Sequence, residues 1–199
     1  MTWKSPTTED TKILWDEINK NPRDRVVAIV CASFLETHLE ACLRLRLREE
    51  AADRLFGFNG ALSSHGARTH LAHGIGLLSD DAWHDLVAIS KIRNRFAHDL
   101  RVREVEDQEI KKLCAKLRLM PALLEQVARK KNEEEAMVLR SMNARTPPRL
   151  QFTNCAGSLA NYLAQIAAAG PAPITDRNHL SYWSTTWQWP PPEAQGVEP

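Results

Sequence analysis

Few stretches of this chain alternate polar and apolar residues, whereas apolar residues recur at helical spacing, so helices rather than strands are predicted. Over residues 7–20, Ile13, Leu14 and Ile18 share one helical face. Asn21-Pro22 then reads as an N-cap followed by proline at the first helical position, where its missing N–H costs nothing. The helix starting there is predicted to run to about residue 50, with Val27, Val30, Phe34 and Leu45 on one stripe and Glu36 and Glu40 on the other side. Residues 56–60 form a loop by their glycines, and Ser63 or Ser64 can cap a third helix ending near Gly74 or Gly76. Ser79-Asp80-Asp81 combine a capping hydroxyl with carboxylates in the first turn, where the helix dipole favours them, and predict a fourth helix over 80–98.

A fifth helix is predicted over 107–119, and Pro121 fits the first turn of a sixth. The charged run 129–135 reads as a solvated helical face. Thr146-Pro147-Pro148 breaks the pattern, and Thr153-Asn154 can cap one further helix through Ala168, either packed back or standing apart. Beyond Pro171 the prolines, polar residues and aromatics Tyr182, Trp183, Trp187 and Trp189 follow no period, which predicts a poorly ordered tail. Its aromatics suit a docking motif or a strap across the chain's own domain. The expected class is all-α: a helical bundle over 1–145, a linker and additional C-terminal helix over 146–170, and a flexible tail over 171–199.

Composition narrows the function classes. The 199 residues are 43% hydrophobic, enough for a real core, and 26 Lys and Arg against 25 Asp and Glu leave a formal net charge of +1. A protein that coats DNA by a global basic field is therefore not expected. The strongly apolar stretch 26–35 falls short of the roughly 20 residues a membrane span needs, and residues 1–10 lack a secretory pattern, so a cytoplasmic protein without membrane contact is expected. Cys31, Cys42, Cys114 and Cys155 lie far apart with no C-x-x-C pair, which predicts reduced, packing cysteines.

The densest chemistry lies in residues 91–103, at the end of the fourth helix. A helical wheel puts Ile89, Ile92, Phe96 and Leu100 on the core side and pairs Asn94 with His98 on the opposite face. Arg93 lies between the two faces, able to bury its stem while its guanidinium swings toward Asn94 and His98. Lys91, Arg93, Arg95, Arg101 and Arg103 against Asp99 make a local positive patch that suits phosphate or RNA. His38 falls within the apolar stripe of the second helix and reads as a core histidine with one hydrogen-bond partner. His65, His70, His73 and His84 form no H-E-x-x-H or H-x-x-x-H, so no metal or other cofactor is expected. Arg44, Arg46 and Arg48 cannot share a face at two-residue spacing. The turn over 74–81 could belong to a helix-turn-helix, but Asp80-Asp81 would push acid toward phosphate, which argues against direct operator binding.

The string RNRFAH, Arg93 to His98, resembles the R-x4-6-H motif of the HEPN superfamily. More of the chain, residues 23–117, is similar to the mannitol-operon repressor family through FLETHLEACL, LSSHGARTHLAHGIGLLSDDAWHDLVAISKIRNRFAH and DQEIKKLCAKL, in that order. That resemblance implies an all-helical regulator of a sugar-alcohol uptake operon that acts as an adaptor through a protein partner. The wider superfamily implies an alternative, a metal-independent endoribonuclease of toxin or defence systems whose composite site forms where two protomers meet. There His98 would move a proton, Arg93 would grip the phosphate, and Asn94 would orient the imidazole or touch the phosphate. A homodimer would supply the second histidine. A third reading has the motif pocket bind a nucleotide or sugar phosphate as a signal.

Overall fold

Three helices make the centre of the computed structural model, which describes residues 7–169: α2 (Asp24–Arg44), α5 (Asp80–His98) and α9 (Pro148–Ala168). Around them pack α1 (Thr8–Lys20) on α2 and α9, α4 (His65–Gly74) on α2 and α5, and α6 (Gln108–Cys114) and α7 (Leu119–Ala128) on α5 and α9. The short α3 (Glu49–Phe56) follows α2, and α8 (Glu133–Arg145) lies outside, against α7. The described residues are all-helical, as the patterning predicts. The predicted tail with Tyr182, Trp183, Trp187 and Trp189 lies outside the described residues.

Each boundary has a local cause. Thr7 closes α1 with a capping box, its hydroxyl accepting from the Asp10 N–H while the Asp10 carboxylate accepts from the Thr7 N–H. Ser64 and Ser79 cap α4 and α5, as expected. Between them Gly76 adopts φ +74°, a conformation that favours glycine, and the Leu77 N–H reaches back 2.8 Å to the Ala72 carbonyl to close α4. Tyr162 of α9 pins the same turn, donating to the Leu77 carbonyl at 3.1 Å and accepting from the Ser79 N–H at 3.3 Å.

Four expectations need correction. The second helix stops at Arg44, and residues 49–56 form a separate helix; no side chain caps α3, so the sequence carries no start signal for it. The fifth predicted helix ends at Cys114, because α7 begins at Leu119 with Pro121 in its first turn. The charged run 129–135 is not one helical face: Arg129 closes α7, Asn132 caps α8, and Glu133, Glu134 and Glu135 fill its first turn. Finally, α9 starts at Pro148, so Thr153 lies inside the helix, donating to the Arg149 carbonyl at 3.0 Å.

The last helix packs back. Phe152, Cys155, Ala156, Leu159, Ala160, Leu163 and Ile166 belong to the same core as Leu35, Leu39, Ile89 and Phe96. Gly157 lets the Trp15 ring of α1 sit on the α9 backbone; a Cβ there would come 2.1 Å from the ring. Helix α2 is longer than its apolar stretch suggested and is long and apolar enough to cross a membrane, but 61% of that window is buried inside the bundle, where it serves as a core helix.

Candidate functional site

Helix α5 holds the candidate residues because its inner face is fixed. Ile89, Ile92 and Phe96 are fully buried, as the wheel predicts. Leu100 is a correction: the helix ends at His98 with Asp99 as its C-cap, so Leu100 leaves the stripe and stands 76% exposed. The turn beyond is held from α2, where Arg25 Nη2 donates to the Asp99 and Val102 carbonyls at 3.2 and 2.6 Å. The Asp24 carboxylate accepts from the Val105 N–H at 2.8 Å and is itself held by Arg149 of α9.

On the outer face Arg93 is half-buried and donates from Nη1 to Asn94 Oδ1 at 2.8 Å, so the guanidinium does turn toward Asn94. Asn94 and His98 are exposed, and among the described residues no hydrogen bond joins them. His98 does not cap the carbonyls of its own helix. The surrounding cations divide into two groups. Arg95 pairs with Glu109 at 2.8 Å and faces Asp99 at 3.7 Å, and Arg101 grips Asp99 through Nε and Nη2, both at 3.0 Å. That grip, above all the Arg101 hydrogen bond, holds the Asp99 carboxyl down at about 2. Lys91, Arg93 and Arg103 have no carboxylate partner among the described residues.

Arg93 and Asn94 also line a cleft of about 290 Å³ that the sequence did not reveal, walled by Glu36 of α2, Ser64 and His65 at the start of α4, and Ser90 of α5. Glu36 was expected opposite the apolar stripe together with Glu40, but α4 closes over them. Arg68, only 8% exposed, donates to Glu36 at 3.3 Å and bridges Glu40 at 2.9 Å, so Glu40 is buried rather than solvated. Arg44 holds Glu40 and Asp53 from the other side, and both guanidiniums lie over the Phe56 ring. The acids behind the cleft are thereby neutralised. Burial pushes His65 below the ordinary histidine range, and the nearby Arg68 and Arg93 charges act in the same direction against Glu36.

The other histidines are structural in geometry. His38 is buried, bonds the Phe34 carbonyl through Nδ1 at 2.8 Å and stacks on the Phe34 ring. His73 bonds Asp80 at 2.8 Å and stacks on Trp83, whose Nε1 donates to His70 at 3.2 Å. No group of three or more His, Cys, Asp or Glu that could hold a metal ion occurs among the described residues. All four cysteines are free and buried, and burial raises Cys31, Cys42 and Cys114 to about 12.

No family model and no curated protein matches the chain. Among solved structures the chain is similar to the X-ray structure of the MtlR-HPr complex from Escherichia coli, with a TM-score of 0.58 and 14% identity over 79% of this chain and 99% of that one. At that identity the likeness is one of architecture: the chain has an MtlR-like, all-helical fold.

Proposed function

We propose that this chain is a cytoplasmic regulatory adaptor of the mannitol-operon repressor kind, working through a protein partner rather than by reading DNA. The observation that carries the reading is the shared bundle, which spans 99% of a chain solved in complex with the protein HPr. The near-neutral charge and the exposed acid at the start of α5, with the Asp80 side chain 91% exposed, agree with a protein partner better than with phosphate-rich DNA. The test is direct mixing of the purified chain with HPr from the same cell, read by calorimetry and by co-elution. A saturable one-to-one complex supports the reading. No complex, with both proteins folded, removes HPr as the partner and with it the main support for the adaptor.

One observation favours a second reading. Arg93 and Asn94 line the cleft, the exposed His98 follows Asn94 by one turn, and Lys91 and Arg103 have no carboxylate partner among the described residues, an inventory that suits a HEPN-type ribonuclease working without metal or cofactor. In that reading two protomers pair to bring two His98 residues to one RNA phosphate. Cleavage of a mixed-sequence RNA in EDTA, lost in a folded His98→Ala variant of equal oligomeric state, is its expected result.

A further inference from the structure

We propose that the cleft between α2, α4 and α5 binds a small phosphate-bearing anion, with Arg93 as its principal ligand. Arg93 is half-buried in the wall of this cleft, and its hydrogen bond to Asn94 uses one donor, leaving most of the guanidinium fork without an acceptor among the described residues. A guanidinium in that setting takes an oxyanion through two parallel hydrogen bonds. Asn94 is a positioning residue, since its Oδ1 holds Nη1 and fixes the plane of the fork.

The remaining walls select among anions. Ser64 accepts the Ala67 N–H with its oxygen, so its hydroxyl hydrogen is free to donate, and the Ser90 hydroxyl has no partner among the described residues. Together with Arg93 these put a guanidinium fork and two hydroxyl donors on one cleft, enough donors to serve the three oxygens of a phosphate monoester. Arg68, which reaches Glu36 at 3.3 Å, offsets part of the negative charge that Glu36 brings to the cleft. The His65 ring, whose pKa burial lowers and whose Nε2 meets Thr69 Oγ1 at 3.3 Å, closes the wall beside Ser64. At about 290 Å³ the cleft sits at the small end of ligand sites, with space for a phosphate and a few carbons but not for a nucleotide. This site goes beyond the adaptor reading and does not depend on it.

The experiment is calorimetric titration of the full chain, at neutral pH, with glycerol 3-phosphate and, separately, with inorganic phosphate. Three variants accompany the wild type. Arg93→Ala removes the fork. Gly66→Asp places a carboxylate at the mouth, where a Cβ meets no atom within 4 Å and where acid in a first helical turn favours folding. Arg129→Ala removes an exposed cation at the end of α7, outside both the cleft and the positive patch. Saturable one-to-one binding is expected, weakened about tenfold or more by Arg93→Ala and by Gly66→Asp and changed less than about twofold by Arg129→Ala. Tighter binding of glycerol 3-phosphate assigns the site to a phosphorylated small molecule, and equal affinities assign it to the free anion. In a parallel NMR titration, bound anion raises the His65 pKa in the wild type and not in Arg93→Ala. Absence of saturable binding of either probe up to about 10 mM overturns the proposal. So does binding that survives Gly66→Asp or is lost with Arg129→Ala. Gly66→Asp keeps the test decisive should Arg93→Ala fail to fold.

Discussion

Replacing Asp85 tests the reasoning that α7 is capped from a distance. Asp85 is fully buried in the middle of α5, and its carboxylate accepts the Arg118 N–H at 2.9 and 3.0 Å, the Leu119 N–H at 2.8 Å and the Cys155 thiol at 3.1 Å. Arg118 is the N-cap of α7 and its own side chain makes no capping hydrogen bond, so the first donors of that helix depend on Asp85. Asp85→Ala strands the buried Leu119 N–H, at about 1–3 kcal/mol, and removes a helix cap that is typically worth about 1 kcal/mol. Relief of the desolvated carboxylate offsets part of this, and a net loss of about 1–3 kcal/mol follows, a large share of the roughly 5–15 kcal/mol a domain has. Asp85→Asn keeps the shape and one acceptor but turns an NH₂ group toward backbone donors, and should lose about half as much. Urea unfolding followed by circular dichroism measures both, and amide exchange across 119–128 reports whether α7 loosens first. A loss below about 1 kcal/mol in Asp85→Ala, or unchanged α7 protection, would refute the reasoning.

Three further outcomes are expected. Gly157→Ala drives a methyl into the Trp15 ring and should cost about 1–3 kcal/mol by separating α1 from α9, seen as a lower urea midpoint with altered tryptophan fluorescence; an unchanged midpoint would show that α1 moves freely. Burial holds His38 and His65 below the ordinary histidine range, so the unfolded chain binds protons more readily; stability is complete above the unfolded pKa of about 6.5 and falls as pH drops below it, by at most about 1.4 kcal/mol per pH unit per site. His38→Gln should shrink that acid loss, and equal slopes in variant and wild type would exclude His38 as a contributor. The four thiols, all buried and three of them raised to about 12, should resist a thiol reagent in the native protein and react together in urea; one fast native thiol would contradict their burial.

The parts of the fold legible in the sequence are those whose cause is local. Ser64 and Ser79 announce their helices because the capping donor lies within three residues of the cap. The rule for proline at a first helical position was sound but fitted the wrong place: Pro22 precedes its helix, with Arg23 as N-cap, whereas Pro148 opens α9 in a segment that had read as a break. Other features depend on partners far along the chain. Glu40 looks solvent-facing on a wheel and is buried only because Arg68, 28 residues later, reaches it. Asp85 looks like one more acid in an amphipathic helix until the backbone 33 and 34 residues on is seen to use it.

The same division runs through α5 and makes its outer face testable. Periodicity correctly assigns Ile92 and Phe96 to the core, Asn94 to the outer face and Arg93 to the border between them; it cannot show that α2 and the start of α4 turn that border into a cleft, because no spacing rule links Glu36, His65 and Ser90. Phe96 and Arg93 are three residues apart, yet their truncations should report different things. Phe96→Ala removes a fully buried ring and should cost about 3–5 kcal/mol of stability. Arg93 has a single hydrogen bond and no carboxylate among the described residues, so Arg93→Ala should leave stability within about 1 kcal/mol while weakening anion binding about tenfold or more. A stability loss for Arg93→Ala as large as that for Phe96→Ala would mean that the guanidinium is a structural member of the bundle, and Gly66→Asp would then decide whether the cleft takes an anion.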